Sequence, residues 1–108
     1  MEIEFKRSMV YQFNDIIEYQ DGSVVSKQLI KCPAGNVTVF AFDKGEGLST
    51  HSTPFDAMVQ IVDGKAEIII NNETFHLNNG QSIIMPANIP HALKAVEKFK
   101  MVLTMVKG

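Results

Sequence analysis

The chain is punctuated by turns too often to build long helices. Turn-forming groups recur at Asp21-Gly22-Ser23, Pro33-Ala34-Gly35-Asn36, Asp43 to Gly47, Asp63-Gly64-Lys65, Asn71-Asn72-Glu73, Asn78 to Gln81 and Pro86 to Pro90. Between them lie runs of β-branched and aromatic residues only a few positions long, the pattern of strands joined by tight connections. The runs predict strands over Val24–Lys31, Val37–Asp43, Ala57–Val62, Ala66–Asn71, Glu73–Leu77, Ser82–Met85, His91–Val96 and Lys98–Val106. Eight short strands predict an all-β sandwich or barrel. With 108 residues there is room for one domain, an N-terminal arm over 1–22 leading into the strands of 23–108. Only Asn14–Tyr19 has helical character, with Asn14 as N-cap and Asp15 in the first turn, so one short N-terminal helix is expected.

Several of these strands are apolar on both faces. Phe40 and Phe42 lie opposite Val37, Val39 and Ala41, and Phe99, Met101, Leu103 and Met105 lie opposite Val102, Thr104 and Val106. A sheet with one wet face alternates more cleanly, so the second face needs a cover, and a partner subunit is the simplest one. The segment Glu2–Phe13, with Ile3, Phe5, Met9, Tyr11 and Phe13 at odd positions, is suited to supply a paired or exchanged strand, and a homodimer is expected. The net charge is −2 and the lysines are scattered, which leaves no basic stripe for nucleic acid. The N-terminus is acidic where a secretory signal is basic, and no apolar run is long enough to span a membrane, so a cytoplasmic protein with no membrane partner is expected. Cys32 is the single cysteine, which rules out an intrachain disulfide and a cysteine-rich zinc site; beside Pro33 it reads as a turn residue.

Two segments resemble the paired motifs of the cupin superfamily, the double-stranded β-helix or jelly-roll barrels. In the first, Gly45 is followed after five residues by His51, and Gly64 closes the motif; in the second, "GQSIIMPANIPHALKA" places Gly80, Pro86 and His91 in register. Asn88 stands where the family has glycine, and asparagine tolerates a left-handed backbone best after glycine. The resemblance implies a cupin barrel, and it is nearest to small single-domain cupins whose first motif reads His-x-Thr-x-Phe-Asp-Ala. It further implies where ligands would sit. Metal-binding cupins use three histidines and a glutamate, and this chain keeps His51 and His91 but has Thr53 and Ala57 at the other two positions.

Residues two apart on a strand share a face, which is why the family's His-x-His spacing works. Catalytic metal sites normally supply three protein ligands, and a hydroxyl and a methyl group are poor replacements for imidazole and carboxylate. Asp56 should point away from the Ala57 face, Gln60 has the wrong parity, Glu46 lies in a loop, and His76 alternates against Phe75 and Leu77 and should face outward. Three readings of the histidine pair stay open: a divalent ion (Zn, Fe, Mn or Ni) held by His51 and His91, a metal-free pocket that uses both imidazoles, and two structural histidines. Phe55, Met58, Met85 and Leu93 would add apolar lining beside His51, Thr53, Ala57 and His91. The expected function is small-molecule binding in a cupin barrel, with a metal-dependent dioxygenase, isomerase or decarboxylase acting on a small organic acid or sugar derivative as the alternative. No glycine-rich loop opens a helix, and Ser49, Thr50 and Ser52 beside His51 do not make a triad.

Overall fold

The computed structural model describes residues 7–107. Eight strands follow one another as β1 (Val24–Cys32), β2 (Gly35–Phe42), β3 (Gly47–His51), β4 (Asp56–Ile70), β5 (Glu73–Asn78), β6 (Ser82–Met85), β7 (His91–Lys94) and β8 (Phe99–Val106). Every pairing is antiparallel, and β4 belongs to two sheets: its first half pairs with β8 and β6, its second half with β7 and β5. One sheet is therefore β1-β2-β8-β4-β6 and the other β3-β7-β4-β5. They enclose a core to which Phe42, Val59, Ile61, Phe99 and Met101 come from the first sheet and Ile68, Leu77 and Leu93 from the second. Phe42 and Phe99 stack at 4.5 Å between ring centres. This is the all-β jelly-roll expected from the sequence.

Three local expectations fail, each for a physical reason. Asp63-Gly64-Lys65 is not a hairpin turn, because β4 runs straight through it. A register shift between Ile61 and Asp63 leaves Val62 as an extra residue, and Gly64 has φ +76°, so the strand bends from one sheet into the other instead of reversing. A side chain at Gly64 would meet the Lys98 carbonyl oxygen, so only glycine lets β8 start this close. Next, β3 falls in a segment that none of the predicted strand runs covers; its partner β7 organises it. Finally, the helix over Asn14–Tyr19 is a single 3-10 turn at Phe13–Asp15. Gln12 stands at its N-cap without a side-chain bond, while the Asn14 carbonyl and side-chain oxygens accept from Lys100 Nζ at 2.7 and 2.9 Å.

That turn delivers the cover for the second apolar face. Ile17 is buried against Val39, Ala41 and Val102, with Ile16, Tyr19, Val25, Leu29, Val37 and Val62 packed around them. The Tyr19 hydroxyl donates to Asp63 Oδ2 at 2.5 Å, and Lys98 and Lys100 hold their ammonium groups 4.8 and 5.0 Å from the Tyr19 ring centre. Burial, and then the hydrogen bond and negative charge of Asp63, push the Tyr19 hydroxyl well above its ordinary pKa. The outer face is thus covered by the chain's own residues 16–19, and its apolar character gives no ground for a second chain there. Ile3 and Phe5 of the expected exchange segment lie outside the described residues; Met9, Tyr11 and Phe13 are exposed and belong to no strand. Among the described residues no helix is long and apolar enough to cross a membrane.

Candidate functional site

His51 ends β3 and His91 opens β7, and the two are direct cross-strand partners. A bulge makes them so. Leu48 pairs with Leu93, and continuing that register would place Thr50 opposite His91; the shift between Leu48 and His51 adds one residue and turns His51 onto the face of Leu48. The imidazole rings meet edge to face with centres 4.4 Å apart. His51 is exposed at the rim, whereas His91 is 4% exposed.

Both rings are anchored by backbone. His51 Nδ1 lies 2.7 Å from the Ser49 carbonyl oxygen and His91 Nδ1 3.2 Å from that of Ile89. A carbonyl can only accept, so each neutral ring carries its hydrogen on Nδ1 and presents a lone pair on Nε2. Burial holds the His91 pKa below its ordinary value, and the neighbouring His51 adds to the effect against the opposing pull of the Ile89 bond.

The surroundings are apolar and graded. Along β8 the inward residues Phe99 and Met101 are fully buried, but Leu103 and Met105 on the same face are partly exposed. Ala57 pairs with Met105 on one side and Met85 on the other, and the turn at 52–55 joins His51 directly to this end of β4. The core is therefore closed by stacked aromatic rings at the Phe99 end, and side-chain exposure rises toward the other end of β8. Among the described residues, the buried polar or charged side chains are His91 and Lys100, and Lys100 points to the outer face toward Asn14. His91 is the polar group of the interior.

Most of the residues expected from the sequence meet here. Thr53 and Phe55 are partly buried at the turn, Ala57, Met85 and Leu93 are buried in the core, and His91, two residues before Leu93 on β7, is the partner of His51. Met58 does not belong to the group: it alternates away from Ala57, pairs with Ile84 on the outer surface and is 39% exposed. Thr53 Oγ1 donates to the Phe55 carbonyl at 3.3 Å, and the Thr53 carbonyl accepts from Asn88 N at 2.7 Å. Asp56 Oδ1 accepts from Ala87 N at 2.9 Å, so it fastens the Pro86–Pro90 loop and is not a recruit for the site. His76 lies on the outside, its Nε2 3.2 Å from Glu67 Oε1. Glu46 lines a separate surface cleft of about 450 Å³ with Leu48, Ser49, Leu93 and Lys94, which contains neither His51 nor His91. Sequence reasoning did not include Leu103, Met105 and Ile70, which pack on the same core; the parity of β8 carried that signal for Leu103 and Met105 once Phe99 and Met101 were known to face inward, and Ile70 is the β4 partner of His91.

The donor set can be tested against a metal ion. Two imidazoles with Nδ1 held by a backbone carbonyl have the outer-shell bond that metal-ligating histidines commonly make. They are nonetheless short of the three protein ligands of a catalytic site, since Ala57 has no donor and the Thr53 hydroxyl is turned to Phe55. Among the described residues no group of three or more His, Cys, Asp or Glu side chains is placed to hold an ion.

Residues 38–107 match the family model described as a cupin domain. Among solved structures, the chain is 41% identical to a conserved protein of unknown function from Streptococcus pyogenes, with a TM-score of 0.92 over 96% of this chain and 91% of that one. It is 42% identical to a cupin 2 conserved barrel domain protein from Leptotrichia buccalis, with a TM-score of 0.85 over 87% of this chain and 46% of that one. A cupin superfamily protein from Desulfitobacterium hafniense, at 21% identity and a TM-score of 0.90 over 100% of this chain and 99% of that one, shares the fold. Comparison with curated proteins finds no match. With the family model spanning well over half of its length and a 41% identical relative aligned along nearly all of it, this chain belongs to the cupin family.

Proposed function

We propose that the protein binds a small, largely apolar molecule at the end of its barrel that carries the histidines, with the His51–His91 pair as its polar anchor. The observation that carries this reading is the pair itself: a register shift brings two rings to 4.4 Å, each held by a carbonyl, beside an otherwise apolar core. A buried polar group in such a setting fixes the orientation of a ligand whose remainder fills the apolar wall. A thermal-shift screen of small molecules against the wild type, His51→Ala and His91→Ala tests it. Hits that stabilise the wild type and lose their effect in both variants are expected; hits that stabilise His51→Ala equally would refute the role of the pair. His51 is exposed, so its replacement should leave folding intact.

A metal-dependent enzyme is the second reading, and the carbonyl-anchored Nδ1 atoms favour it. It requires a chelating substrate or water to complete the coordination of an ion such as zinc, iron, manganese or nickel. Metal analysis by mass spectrometry decides: close to one ion per chain, lost in both histidine variants, would support this reading, and none after incubation with those ions would remove it. A cytoplasmic location and a homodimer belong to the same proposal.

A further inference from the structure

The turn between β5 and β6 carries a reactive pair that the histidine site does not use. Of the seven asparagines in the chain, Asn79 alone precedes a glycine, Gly80. A side chain on the following residue shields its peptide nitrogen; glycine leaves that nitrogen open to the asparagine carboxamide. Asn79 is exposed, its carboxamide makes no hydrogen bond among the described residues, and a Cβ built at Gly80 would meet no atom within 4 Å. We infer that Asn79 is a site of spontaneous deamidation, gated by the backbone bridge between its turn and Ile61. In this step the Gly80 nitrogen gives up its proton and bonds to Asn79 Cγ, the Cγ–Nδ2 bond breaks, and ammonia leaves carrying that proton. One water then opens the five-membered imide at either carbonyl, giving aspartate or isoaspartate.

The same turn holds the reaction in check. Gly80 N donates to the Ile61 carbonyl at 2.8 Å, and Ile61 N donates to the Gln81 carbonyl at 2.9 Å. Within the turn, Gln81 N donates to the Asn78 carbonyl at 2.9 Å and Asn78 N donates to Gln81 Oε1 at 2.8 Å. A nitrogen whose hydrogen is held by a carbonyl keeps its proton and its place, so the attack requires residues 78–81 to lift from β4. The products differ in consequence. Aspartate adds an exposed charge and leaves the main chain unchanged. Isoaspartate lengthens the main chain by one carbon just ahead of Gly80 and draws the bridge to Ile61 out of register. Ile61 is 1% exposed and stands at the register shift where β4 passes between the sheets, so the barrel itself is weakened.

The test follows the peptide containing residue 79 by mass spectrometry during incubation at physiological temperature and mildly alkaline pH. Wild type is compared folded, unfolded in guanidinium chloride, and beside Gln81→Ala; Gln81 is exposed, so its replacement removes the turn bond and spares the core. Conversion of amide to acid should be confined to residue 79 and should run about tenfold to a hundredfold slower in the folded than in the unfolded chain. Gln81→Ala should convert about fivefold faster than wild type, the factor that one ordinary hydrogen bond produces. Faster conversion at another asparagine, or none at residue 79 of the folded protein, would overturn the site. Equal rates folded and unfolded, or no acceleration in Gln81→Ala, would overturn the gate. The isoaspartate form, separated by its charge, should melt below Asn79→Asp; equal melting would overturn the link to Ile61.

Discussion

Replacing Ile17 by alanine should cost the protein more than its position in a nearly structureless N-terminal segment suggests. Ile17 is 1% exposed and lies against Val39 at 1%, Ala41 at 0% and Val102 at 2%, so it seals the outer face of the β2–β8 pair. Buried isoleucine-to-alanine changes cost about 2–5 kcal/mol, the spread reflecting how far the site collapses. Residues 16–19 are tied at both ends, by Lys100 to Asn14 and by Tyr19 to Asp63, which limits collapse, but the segment lies on the surface and can still settle. A loss of about 2–3 kcal/mol is therefore expected, a fall in Tm on the order of 10–20 °C for a domain of this size. Urea unfolding of wild type and Ile17→Ala at two protein concentrations measures it, with Val10→Ala as control, since Val10 is 96% exposed and should cost under about 0.5 kcal/mol. A loss below about 0.5 kcal/mol for Ile17→Ala would refute the reasoning. A loss that changes with protein concentration would refute it too, because the face would then be sealed by a second chain.

Other expectations follow from single residues. Gly64→Ala should cost about 2–4 kcal/mol in denaturant unfolding, because φ +76° disfavours a side chain and the new Cβ meets the Lys98 carbonyl; a cost under about 1 kcal/mol would mean that β4 and β8 separate there easily. The depressed His91 pKa means that the unfolded chain takes up its proton first as pH falls below about 6.5, so this contribution to stability is full above that value and lost on acidification. His91→Asn should flatten that part of the stability profile; the stability held by Asp43, whose carboxyl is kept below its usual range by the Gly22 and Lys44 amides, is lost only at lower pH. Met58 and Ile84 form an exposed cross-strand apolar pair; if the expected homodimer forms through this pair, light scattering should return the mass of two chains for the wild type and of one for Ile84→Lys, and a wild-type mass of one chain would retire it.

Much of the architecture was legible because turns are local chemistry. Asn71 and Asn72, with φ of 49° and 70°, make the two-residue hairpin that their identity predicts, and Asn88, at φ 63°, occupies the left-handed position where the family has glycine. The two histidines were legible from motif spacing. What escaped depended on partners distant in the sequence. "GLSTH" has no apolar alternation of its own and becomes a strand by pairing with β7, and its bulge, which decides whether His51 faces in or out, has no local signature. Asp63-Gly64 has turn composition, yet the β8 ladder on one side and the β5 ladder on the other hold it in a bent strand. The segment after Asn14 was read as helical when Ile17 and Tyr19, two residues apart, both had to reach one sheet. Met58 is near the motif in sequence, but its parity against Ala57 puts it outside.

The most direct measurement is a titration of the strongest hit from the screen into protein with ¹⁵N-labelled histidine, followed on the ring nitrogens. The chain has three histidines, and His76, on the outer face beside Glu67, is a built-in control. If the His51–His91 pair anchors the ligand, the Nε2 resonances of both shift together along one binding curve while those of His76 stay still. Saturable binding that leaves His51 and His91 unmoved would show that the ligand sits elsewhere and that the pair is structural.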